Sequence, residues 1–271
     1  MGTTQRIGSG VKKDPNWGNI STSVTSAAKA IEEISKLEPI SSTTDNPNLE
    51  SQHKKLIHRR DSHINSSFER LVKLGGGSKK ISSGGSNKIG RAGLKSSSKL
   101  ASFFAGVSNF GLERTLNQIG FGSLVGKNIR DVTDFLLDYC CDSNIGMDEA
   151  AAKTALCEVL KILSIEADGD INKLEDLMKS YVDSNLLSNL LCDFFGTYIY
   201  EYLWERLEER LREIRGAEIS KATFDSIRKE IKGRVLLLNS NRPIVKIDWA
   251  GNEGKLEIEK IFETILKIEG E

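Results

Sequence analysis

The sequence predicts an all-α protein. An α-helical domain over residues 98–271 follows a basic region, residues 1–97, that is largely disordered and carries one or two local helices. Three observations predict this. From Ser98 onward apolar residues recur at three- and four-residue steps almost without a break, which is the spacing of a helix face. Strand-like alternation is confined to Ile244–Trp249, and no strand–helix–strand order appears, so a doubly wound sheet is excluded. Charge also divides the chain: residues 1–110 hold 17 Lys and Arg against 8 Asp and Glu, a net of +9, and residues 111–271 hold 21 against 30, a net of −9.

The basic region contains two polar tracts, Ile40–Asn48 and Gly75–Ser98, built mainly of Ser, Thr, Gly, Asn and Lys. Such tracts bury too little apolar surface to offset roughly 1–2 kcal/mol of backbone entropy per ordered residue. Ahead of the first tract, Ala27, Ala30, Ile31, Ile34 and Leu37 predict a helix over Thr25–Leu37 that ends before Pro39. Leu56, Ile57, Ile64, Phe68, Leu71 and Val72 predict a second over Leu49–Leu74, stopped by Gly75–Gly77.

In the second half, Leu100, Phe103, Phe104 and Val107 open the helical pattern, and Ile129, Val132, Phe135, Leu136 and Tyr139 continue it. Met147–Leu163 is Ala-rich with Asp148 and Glu149 in its first turn, where carboxylates favour the helix dipole. Asp170–Val182 is a shorter helix. In Ser184–Arg215, Leu187, Leu191, Phe195, Ile199, Leu203, Leu207 and Leu211 fall at four-residue steps with aromatic neighbours. That makes it the expected central packing element, with Gly216 as its stop. Helices over Ser220–Leu238 and Gly254–Ile268 complete the pattern, with one possible strand, Ile244–Trp249, between them.

Chemistry-bearing motifs mostly fail. Gly122 and Gly126 enclose three residues, and Asn128 rather than Ser or Thr follows Lys127, so the segment from Gly120 lacks the spacing of a phosphate loop. Asp168, Asp170 and Asn172 open like a calcium loop, but Lys173 and Lys179 stand at its sixth and twelfth positions. His53, His58 and His63 are the only histidines, and five-residue steps turn each by about 140° on a helix. They share no face for a metal, and the helical domain has no imidazole for a Ser–His or Cys–His nucleophile. The four cysteines, Cys140, Cys141, Cys157 and Cys192, show no CxxC spacing and lie in apolar helical patterns, which predicts reduced, buried thiols. A protein that is not an enzyme, with no cofactor and no metal, is therefore expected. Met1–Gly10 is polar with no apolar stretch behind it, and no 18-residue apolar run exists. A cytoplasmic protein without a membrane span is expected.

Lys79, Lys80, Lys88, Arg91, Lys95 and Lys99 lie on a Gly/Ser background without an aromatic residue. The tract reads as a solvated linker. The alternative is a nucleic-acid-binding adaptor that contacts phosphates through residues 79–99. At the N-terminus, Arg6 occupies the place where a myristoylation pattern needs Ser or Thr. Gly2 is small enough for the initiator Met to be removed, which exposes a glycine amine. Gly8-Ser9-Gly10 and Pro15-Asn16-Trp17 follow, with Trp17 as the one aromatic residue, which in such a tail is either incidental or the residue that docks it into a partner's pocket.

Met1-Gly2-Thr3-Thr4, the glycine-rich stretch after it, Pro15 and Trp17, the Phe-containing segment Phe68–Gly77 and the helical second half together resemble the QatB family, components of a bacterial anti-phage defence system. The resemblance implies a non-enzymatic subunit that works beside an ATPase, a QueC-like enzyme (QatC-type) and a TatD-like nuclease. QueC enzymes use ATP to build the nitrile of a 7-deazaguanine, and a relative could join a deazaguanine carboxylate to an amine. The resemblance therefore implies that Gly2, Thr3, Thr4 and Trp17 form the segment offered to the QueC-like partner, with the Gly2 amine as the group modified.

Overall fold

The computed structural model describes residues 15–41, 47–142, 146–184, 186–240 and 247–267, and every regular element among them is an α-helix. The elements are α1 (Pro15–Ser41), α2 (Pro47–Gly75), α3 (Ser78–Ser82), α4 (Arg91–Phe110), α5 (Leu112–Gln118), α6 (Ile129–Cys140), α7 (Met147–Glu166), α8 (Ile171–Asp183), α9 (Leu186–Arg215), α10 (Ala217–Ser240) and α11 (Asn252–Leu266). The all-α class is as the sequence predicts. The possible strand Ile244–Trp249 lies partly outside the described residues; Ile247 and Asp248 form no strand, and Trp249 sits buried in a turn ahead of α11.

Two compact units are present. One combines Met1–Ser78, Leu203–Ile231 and Leu266–Glu271; the other combines Lys79–Tyr202 and Lys232–Ile265. They cut across the composition break, because α9 and α10 each supply residues to both.

In the first unit α1 and α2 form a helical hairpin. The expected helix Thr25–Leu37 is present but longer, starting at Pro15. Proline is suited to that place, since its fixed φ matches the first helical turn and its missing N–H has no partner to lose. The helix buries Trp17, Ile20, Ser21, Ser23, Val24, Ala27, Ala28, Ala30, Ile31 and Ile34. Five of these are Ala or Ser, so backbones can approach closely without a wide apolar stripe. Composition underrates such a helix.

In the second unit the first half of α9 is buried on nearly every side: Leu187, Leu190, Leu191, Cys192, Phe194, Phe195, Tyr198, Ile199 and Tyr202 are all core. A helix apolar all round belongs at the centre of its domain. Phe195 stacks on Phe262 of α11 with ring centroids 4.3 Å apart, and Tyr198 meets the same ring edge-on at 5.7 Å. Beyond Tyr202 only Leu203, Leu207 and Leu211 continue the buried stripe. Gly216, at φ 84°, ends the helix and donates its N–H to the Arg212 carbonyl at 2.9 Å.

The tract 75–98, expected to be a flexible linker, is structured. It contains α3, a turn and the first turns of α4, with Ile81 and Ile89 wholly buried. Its serines do not need solvent. Ser82, Ser86, Ser96 and Ser97 are buried, and Ser97 Oγ donates to the Leu94 carbonyl at 3.0 Å. A serine that bonds its own backbone packs like a small apolar residue, which composition alone does not register.

Candidate functional site

Gly2, Thr3 and Thr4 lie outside the described residues. Trp17 does not stand in a free tail. It is in the first turn of α1, 5% exposed, with the Arg206 guanidinium of α9 over its ring at 5.2 Å. Its side chain packs inside the protein against Arg206.

Further contacts hold α1 in place. Arg70 of α2 donates to the Asn19 carbonyl at 2.5 Å and to Ser23 Oγ. Arg215 at the end of α9 lies 3.1 Å from the Glu32 carboxylate, which also accepts from Lys36 at 2.8 Å. The hydrogen bond from Lys36, with Arg215 nearby, holds the Glu32 carboxyl below the usual range. Arg59 of α2 lies 3.5 Å from Glu33. Helix α1 is thus held by one buried indole in its first turn and, along its length, by arginines from two other helices.

A second polar constellation lies in the second unit. Gly90 precedes α4 at φ 108°, and a Cβ there would lie 2.4 Å from the Ile81 carbonyl oxygen. Only glycine fits. Its N–H donates to Tyr198 Oη at 2.6 Å and to Asp148 Oδ1 at 3.0 Å, and the Ala92 N–H donates to Asp148 Oδ2 at 2.8 Å. Tyr198 Oη also donates to Asp148. Tyr202 Oη donates to the Lys88 carbonyl at 2.7 Å. Burial first, and then the Asp148 charge, push the Tyr198 phenol well above its ordinary range, so it stays protonated and serves as a donor. Asp148 lies in the first turn of its own helix, as the sequence predicts, and its carboxylate also caps α4, fifty-six residues earlier at Ala92. The sequence signal for this was slight: a glycine ahead of a helix whose first turn has no acidic side chain of its own.

The rejected motifs have structural roles. Asn128 caps α6 by accepting from Arg130 and Asp131 N–H at 2.9 and 3.1 Å, and Asp131 accepts in return from the Asn128 N–H at 2.8 Å. That reciprocal box closes the helix N-terminus that a phosphate would need. Asp170 caps α8 through the Asn172 N–H at 2.8 Å, and Asp168 pairs with Lys173 at 2.6 Å. Among the described residues no group of three or more His, Cys, Asp and Glu is placed to hold a metal ion. In the basic tract, Lys95 is paired with Asp142 at 2.6 Å, and Lys99 donates to the Tyr139 carbonyl and lies 4.9 Å from that ring's centroid. Both cations are engaged inside the domain.

The thiols differ from expectation at two positions. Cys140 and Cys192 are buried, Cys141 is half-buried, and Cys157 is exposed. Cys157 shares its face of α7 with the exposed Lys153 and Lys161, one turn to either side; apolar residues nearby in sequence point the other way around the helix. Burial pushes the Cys140 thiol up to about 12 and raises Cys141 and Cys157 as well. A thiolate nucleophile is disfavoured at all three.

Residues 77–268, from α3 through α11, match the family model of QatB, the Qat anti-phage system associated protein. No curated protein and no solved structure matches the chain. None of the helices described is long and apolar enough to cross a membrane.

Proposed function

We propose, from the premise that this chain belongs to the QatB family and so is a component of the Qat anti-phage system, that it is a non-enzymatic subunit that presents its N-terminal leader to a QueC-like partner. The ATPase and the TatD-like nuclease of such a system are its other expected associates. The observation that carries this reading is the anchorage of α1. Trp17 is buried against Arg206, and Arg70 and Arg215 hold the same helix. Whatever seizes the leader therefore pulls on a fixed point.

The chemistry at Gly2 follows from ordinary amine acidity. An α-amino group has a pKa near 7.7–8.0 and a lysine near 10.4. Near neutral pH an α-amine is therefore more often neutral and nucleophilic than a lysine amine. ATP activates a deazaguanine carboxylate, the Gly2 nitrogen displaces the activating group, an amide forms and one proton leaves. Glycine has no Cβ to crowd the attacking nitrogen.

Two measurements test the reading. Intact mass of the chain co-expressed with the QueC-like protein should rise at the Gly2 peptide, and an unchanged mass sinks the modification. Deletion of residues 2–14 leaves the α1 anchor intact and should abolish co-purification with that partner. Retention of the partner by the shortened chain sinks the leader as the contact.

A further inference from the structure

We draw no further inference here: the strongest candidate, the exposed apolar patch of Leu236 and Leu237 at the end of α10, on the helix that also exposes Lys229 and Lys232, carries none, because nothing among the described residues shows what covers it.

Discussion

Replacing Asp148 by Ala removes the carboxylate that closes the start of α4. The Ala92 N–H, at 2.8 Å, then loses the acceptor on which it bears, while the Gly90 N–H keeps the Tyr198 oxygen at 2.6 Å. The Tyr198 hydroxyl, fully buried, loses the group to which it donates. Hydrogen bonds to a charged group contribute about 1.5–3 kcal/mol each, and an orphaned buried donor costs about as much. One retained bond and the partial exposure of Asp148 reduce the sum, so the loss should be about 2–4 kcal/mol. Tyr198→Phe removes a single hydroxyl and should cost about 1–2 kcal/mol. Because the two side chains touch, the double variant should cost less than the sum of the singles by about 1 kcal/mol. Urea unfolding followed by circular dichroism measures all three, and hydrogen exchange at Gly90 and Ala92 localises the effect. A change below about 0.5 kcal/mol for Asp148→Ala, with Gly90 and Ala92 still exchanging slowly, would refute the reasoning.

Gly90→Ala forces a Cβ to 2.4 Å from the Ile81 carbonyl at a φ of 108°. A loss of at least about 2 kcal/mol in the same urea assay is expected, since the left-handed region alone costs about 1–2 kcal/mol. Glu175 is held below the usual carboxylate range, first by the hydrogen bond from Lys179 and next by the Leu112 N–H at 2.9 Å. A depressed carboxyl stabilises fully above its unfolded pKa and loses that stability as pH falls through the folded value. The unaltered chain should therefore lose more stability between about pH 5 and pH 3 than Glu175→Gln does; equal losses would count against it. Iodoacetamide at neutral pH, followed by peptide mass spectrometry, should label Cys157 first and Cys141 more slowly. Cys140 and Cys192 should react only after denaturation, and early labelling of Cys140 would contradict its burial.

The helices of the second half were legible because their signals are local. The four-residue stripe from Leu187 to Leu211 and the stop at Gly216 act within a turn or two of their own position. The first half was harder to read. Polar composition predicts disorder when each side chain is weighed singly, and it cannot show that Ser97 bonds the Leu94 carbonyl or that Ser21 and Ser23 lie in a closely packed interface. The proposal for Gly2, Thr3 and Thr4 rests on the resemblance, and these residues lie outside the described ones. The burial of Trp17 needed the position of Arg206, 189 residues away in the chain.

What the amino-acid order determined by itself is the helical class, most of the helix bounds and the confinement of histidine to positions 53, 58 and 63, because periodicity, capping and residue inventory are properties of short stretches. What tertiary structure alone decided is which polar groups are interior. Asp148 reaches Gly90, Tyr202 reaches Lys88 and Arg206 covers Trp17. These pairs meet only after helices far apart in the chain have packed, and a burial set by packing cannot be read from either partner's neighbours in sequence.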